Sequence, residues 1–145
     1  MNFLKNCKIS VVEAAGAAGQ TALTTDILDM EAFDGVIFIA LLGDVTDTCV
    51  LGLNVEHGDA SGGGDMADTT ASAAYTAGAS DADSKVLAVD VYKPLKRYVR
   101  GVLTRTTANA VLGGIIAIQY QGRKCPVTQD ATVINSVLAI SPASA

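Results

Sequence analysis

The one histidine of the sequence sits in His57-Gly58-Asp59-Ala60-Ser61-Gly62-Gly63, where an imidazole, a carboxylate and a hydroxyl fall within one short stretch. Those three groups are the material of acyl transfer: the hydroxyl attacks, the imidazole takes its proton and the carboxylate orients the imidazole. The run superficially resembles the G-D-S-G-G signature of serine proteases. Ala60 splits that signature, however, and His57 stands before Ser61 at a strand end, so the loop would have to fold back to join them. The expectation is no catalytic residue and no enzyme.

Asp59, Asp65, Asp68, Asp81 and Asp83 offer hard oxygen ligands of the kind calcium takes, but their spacing matches neither an EF-hand loop nor a repeated calcium-binding nonapeptide. They are read as solvated loop carboxylates, with no metal site. The segment Gly62-Gly63-Gly64-Asp65-Met66-Ala67 satisfies G-x-G-x-x-A without a surrounding βαβ unit, and Gly16-Ala17-Ala18-Gly19-Gln20-Thr21 lacks the lysine of a phosphate loop. No cofactor is expected. Cys7, Cys49 and Cys125 are odd in number and widely spaced, which suggests neither a disulfide framework nor a zinc site. Cys7 and Cys49 read as small buried hydrophobes and Cys125 as an exposed thiol.

A different constellation concentrates positive charge: Lys93, Lys96, Arg97 and Arg100 in one short connection, then Arg105, Arg123 and Lys124. Lys93, Lys96, Arg97, Arg100, Arg123 and Lys124 are the candidate partner-binding residues; a solvated turn is the competing reading. Nucleic acid is disfavoured by a pI near 4.6. The chain has a net charge of −5, and its charge is divided: residues 1–84 hold two basic and thirteen acidic side chains, residues 85–145 eight basic and two acidic. Such a split predicts separate acidic and basic surfaces unless the fold interleaves the halves.

The elements that must position these residues are strands. Cys7, Ile9 and Val11 alternate with polar neighbours, as do Leu51, Leu53 and Val55. Similar stretches at 23–30, 36–42, 85–92, 98–106, 110–120 and 131–140 make about eight strands. Residues 33–35 and 42–44 bracket the strand at 36–42, and residues 107–109 read as a hairpin loop between neighbouring strands. The run Val36-Ile37-Phe38-Ile39-Ala40-Leu41-Leu42 is far below the ~20 residues of a membrane-spanning helix and reads as a buried strand. No h-region with a cleavage site follows Met1, so synthesis in the cytoplasm and no membrane partner are expected.

Without crossover helices, these strands predict an all-β, single-domain antiparallel β-sandwich over 1–145, jelly-roll-like, with an Ig-like sandwich as competitor. Residues 58–84, rich in Gly, Ala, Ser and Asp, read as a flexible loop with at most a weak helical turn within 67–82. Phe3 and Leu4 suggest either an arm that docks on a neighbour or a frayed end.

Ser84-Lys85-Val86-Leu87-Ala88-Val89-Asp90-Val91-Tyr92-Lys93-Pro94 and Lys96-Arg97-Tyr98-Val99-Arg100 resemble small virion proteins of tailed bacteriophages. So do Asp34-Gly35-Val36-Ile37-Phe38, Ile116-Ala117-Ile118-Gln119-Tyr120, Arg123-Lys124-Cys125-Pro126-Val127-Thr128 and Ser141-Pro142-Ala143. The resemblance implies a capsid decoration (cement) protein that clamps the major capsid protein shell from outside, on the virion exterior, as a homodimer or homotrimer at lattice axes. Another phage structural part, at the head–tail junction or in the tail, and a carbohydrate-binding surface module are the alternatives.

Overall fold

The structure, a computed structural model, describes residues 2–141, 143 and 144. Ten antiparallel strands form two sheets, preceded by one helical turn, α1 (Phe3–Asn6). Sheet I holds β1 (Lys8–Glu13), β2 (Gly16–Gly19), β5 (Phe33–Val45), β8 (Val86–Tyr92) and β10 (Ala110–Gly122), in the order β1-β10-β5-β8 with β2 also on β10. Sheet II holds β3 (Leu23–Thr24), β4 (Leu28–Asp29), β6 (Val50–Gly58), β7 (Ala67–Thr76) and β9 (Tyr98–Thr106), in the order β3-β9-β6-β7 with β4 also on β9.

The pairings are nested. β6 pairs with β7, β5 with β8, β3 and β4 with β9, and β1 with β10. One long antiparallel hairpin rolled over on itself gives this pattern, which is the topology of a jelly roll. The all-β sandwich expected from the alternation is therefore the fold.

Each sheet buries one face in a shared core. Val36, Phe38 and Ala40 of β5 and Leu112, Ile115 and Ala117 of β10 point inward, against Leu53, Val55, Val99 and Leu103 of sheet II. A second cluster at one end joins Leu42, Val45, Cys49, Leu51 and Ala110. Gly101 faces this core, where a Cβ would press on the Phe38 ring.

Four expectations are corrected. The 58–84 segment is not one flexible loop, because Ala67–Thr76 is the edge strand β7; Ala71 and Ala73 suffice for its inward face, and no helical turn forms there. Residues 131–140 pair with no strand. Residues 107–109 do not close a hairpin between paired strands, since β9 and β10 lie in opposite sheets. Both glycine-containing brackets, 33–35 and 42–44, lie inside β5.

Candidate protein-binding surfaces

The turn between β8 and β9 carries the basic residues singled out in the sequence. Lys93, at φ 51°, opens it, and the turn is held down by two backbone hydrogen bonds: Lys93 N donates to Asp34 O at 2.7 Å and Met30 N to Arg97 O at 2.8 Å. A groove of about 470 Å³ results, lined by Lys93, Lys96, Arg97 and Arg123 together with Glu31 and Asp34. Leu95 stands at its lip, 91% exposed.

Four of the six candidates thus meet here, three from the turn itself and Arg123 from beyond β10. Arg100 lies apart on the outer face of sheet II, and Lys124 is exposed beyond the end of β10.

Their charge is largely matched within the chain. Arg97 grips Asp29 and reaches Glu31 at 2.7 Å, Lys96 pairs with Asp59 at 3.3 Å, Arg123 with Asp34 at 3.3 Å, and Arg100 with Glu56. Lys93 rests over the Tyr92 ring. Separate acidic and basic surfaces do not arise, because nested pairing sets early acidic strands beside late basic ones. Arg105 leaves the basic patch altogether: it is 3% exposed, and its guanidinium donates to the carbonyls of Thr21 (3.0 Å), Ala17 (2.9 Å) and Ala110 (2.5 Å).

The catalytic and metal candidates are engaged elsewhere. His57 lies on β6, in register with Ala67 and Val99. Asp65 accepts hydrogen bonds from Asp59 N at 2.7 Å and Ala60 N at 3.0 Å, which hold its carboxyl below the usual range and close the turn that contains Ser61. Asp81 accepts from Gly78 N and the Tyr75 hydroxyl, and Asp83 from Val45 N. Among the described residues, no three His, Cys, Asp or Glu side chains stand close enough to hold a metal ion. Cys7 and Cys49 are buried, and desolvation raises both thiols; Cys125 is exposed. No helix among the described residues is long and apolar enough to cross a membrane.

The outer face of sheet I is the feature that the sequence reading missed. With Val36, Phe38, Ala40 and Leu42 inward, Ile37, Ile39 and Leu41 point out. Register places aliphatic neighbours beside them in rows: Ile9, Ile118 and Ile37; Val11, Ile116, Ile39 and Ala88; Leu41 and Val86. Val11, Leu41, Ile116 and Val86 are 43, 48, 39 and 55% exposed. Sheet II instead turns Asn54, Glu56, Ser72, Arg100 and Thr104 outward.

A one-sided antiparallel sheet ordinarily alternates apolar-in with polar-out, and uninterrupted apolar runs belong to strands covered on both faces. The run 36–42 is of the second kind and has cover on one face only. At one corner α1 sits on β10, and Phe3 lines a recess with Ile37, Ile118 and Tyr120. The Tyr120 hydroxyl donates to Asp90 at 2.5 Å, its ring stacks on Tyr92, and it lies so close over Gly35 that a Cβ there would collide with it.

The segment after β10 seals the open edge of β1. Gln129 accepts from Ile9 N at 2.9 Å and donates to the carbonyls of Leu4 (2.9 Å) and Cys7 (2.6 Å); Thr132 Oγ1 accepts from Val11 N at 2.9 Å. These side chains satisfy edge amides that would otherwise invite another strand. Beyond Thr132, Ile134 is 98% exposed and Ile140 78%, while Leu138 is more covered at 38%.

No known family matches the sequence, and no curated protein does. Among solved structures, the PBSX exported protein XepA is similar over 100% of this chain, with a TM-score of 0.52 and 20% identity. The infectious bursal disease virus Gx strain structure follows at TM-score 0.45 and 10% identity, covering 84% of this chain and 34% of that one. The Eiger TNF of S. frugiperda follows at 0.39 and 8%, covering 86% and 99%. This chain spans 45% of the length of XepA, and the likeness to XepA is one of fold.

Proposed function

We propose that this protein is a non-catalytic structural component of a tailed-phage virion, a decoration protein that binds the outside of the major capsid protein shell and stabilises it. The observation that carries the reading is a pair of exposed surfaces, the aliphatic outer face of sheet I and the basic end of the sandwich where Leu95 projects. A sheet that turns Ile37, Ile39, Leu41, Ile116 and Val86 away from its own core is built to be covered by protein. The sequence resemblance to small virion proteins supports the same role.

The end of the sandwich formed by Lys93, Leu95, Lys96, Arg97, Arg123 and Lys124 is the proposed contact with the shell. Leu95 supplies an apolar anchor, and Lys93 and Lys124 have no carboxylate partner among the described residues. Many copies of a modest contact stabilise a lattice through multivalency.

The test is the copy number in purified virions by quantitative mass spectrometry. Decoration requires a large lattice multiple of copies. A handful would reassign the protein to the head–tail junction or tail, and none would end the virion reading. Reversing charge at Lys93 and Lys124 should weaken shell binding and flatten its salt dependence.

A further inference from the structure

The aliphatic face of sheet I and the apolar segment 133–140 occur in one chain, and both stay largely exposed apart from the corner of the face that Phe3 lines. Ile134, Val137, Leu138 and Ile140 are 98, 74, 38 and 78% exposed, in a stretch interrupted only by Asn135 and Ser136 and with no strand beside it. This segment starts at the rim of the face. Asp130 lies 3.9 Å from Lys8, and Thr132 accepts from Val11 N, so the arm departs beside Val11, one of the residues of the face.

We infer that the outer face of sheet I is the docking site for a second copy of this chain, whose residues 133–140 lie across it. The inference names what covers the face on which the proposed function rests, and it stands whether or not a shell is the protein's destination.

Dimensions fit. Eight extended residues reach ~26 Å, and the four strands β1, β10, β5 and β8 at ~4.8 Å spacing span less than ~20 Å. Three rows of outward residues on those strands make a face of roughly 400 Å². The four arm side chains add roughly 300 Å² at about 100 Å² of apolar surface per aliphatic residue. Face and arm together approach the ~800 Å² per partner of a stable complex, whereas the face alone reaches only half of it.

The chemistry also favours a copy over a polar partner. Ile9, Val11, Ile37, Ile39, Leu41, Ile116 and Ile118 form an uncharged centre, with Asp90 at the β8 margin engaged by the Tyr120 hydroxyl, and the arm is likewise uncharged from Val133 to Ile140. Each copy offers one face and one arm. Reciprocal exchange therefore closes a dimer, and head-to-tail exchange closes a ring.

Sedimentation velocity of the full chain and three variants tests this: a chain ending at Thr132, Leu41→Asp, and Ile116→Thr. The last retains a β-branched residue on β10, in case the aspartate disturbs folding, and circular dichroism checks each fold. The full chain should sediment as an oligomer at micromolar concentration. The truncated chain and both face variants should dissociate at least tenfold more readily. A monomeric full chain overturns the inference. So does a truncated chain that associates as tightly as the full one, since the arm would then not be the occupant. These outcomes are independent of virion copy number, so failure here and failure of the capsid role are separable.

Discussion

Asp29 receives two parallel hydrogen bonds from Arg97, 2.9 Å from Nε and 2.8 Å from Nη2, which lock the β8–β9 turn to β4. Fork geometry of this kind belongs to arginine and is unavailable to a lysine ammonium. Arg97→Lys should therefore loosen the turn while preserving its charge. Both side chains are nearly half exposed, so solvent screening keeps the loss small. Thermal melts at low and molar salt check this: the difference between variant and parent should shrink as salt rises.

Acid should unfold the protein by a route written in two carboxylates. The Arg97 hydrogen bonds hold the Asp29 carboxyl below its usual range, and hydrogen bonds from the Thr132 backbone and hydroxyl do the same for Asp130. A depressed folded-state pKa contributes stability that is complete above the unfolded value of about 4 and lost as pH falls through the folded value. Urea midpoints should hold steady between about pH 7 and 5 and drop below about pH 4. In the Asp29→Asn, Asp130→Asn double variant the midpoint should be lower at neutral pH and the acid limb shallower. Parallel curves for variant and parent would remove these two groups from the explanation.

At the alkaline end the relevant group is Tyr120. Burial, first, and the hydrogen bond to Asp90, second, push its hydroxyl well above the ordinary tyrosine range; the hydrogen bond to Asp81 raises Tyr75 as well. A raised pKa makes the linked stability complete below the unfolded value of about 10 and lost as pH climbs through the folded one. Ultraviolet titration should show part of the tyrosine absorbance change arriving late, and Asp90→Asn should bring the Tyr120 portion forward. A titration unchanged in that variant would contradict the assignment.

Arg105 is a buried cation whose hydrogen bonds go to backbone carbonyls and the Thr21 hydroxyl, with no carboxylate partner among the described residues. It fastens the strand β2 and the start of β3 to the end of β9. Arg105→Ala leaves several buried carbonyls unpaired and a void behind them, with an expected cost of about 3 kcal/mol in urea unfolding. Amide exchange should quicken first in residues 16–24. Uniform acceleration across both sheets would mean that the arginine supports the whole core instead.

Much of the fold was legible because bulky apolar residues alternate in β1, β6, β8 and β9 and run together in β5 and β10. β7 escaped notice for a physical reason: its inward positions are Thr69, Ala71 and Ala73, which fill the shallow margin of the sandwich without a bulky signal. The opposite error at 131–140 came from counting apolar residues that stand in blocks, Val133-Ile134 and Val137-Leu138, and that pair with no strand among the described residues. Charge was misleading because it was counted along the sequence, whereas pairing sets residue 29 beside 97, 34 beside 123 and 56 beside 100. The outer face of sheet I is signalled by the uninterrupted run 36–42, which fits a buried strand in sequence but turns Ile37, Ile39 and Leu41 away from the core.

Nesting also orders events in time during synthesis. A chain emerging from the ribosome can close β6 on β7 early, but β1 and β5 wait for β10, more than seventy residues after β5 begins. High separation of contacts makes such closure slow. The aliphatic face has no middle until β10 slots between β1 and β5, and residues 133–140 follow β10 off the ribosome. A nascent chain therefore cannot present a finished aliphatic face until β10 has emerged and paired with both β1 and β5.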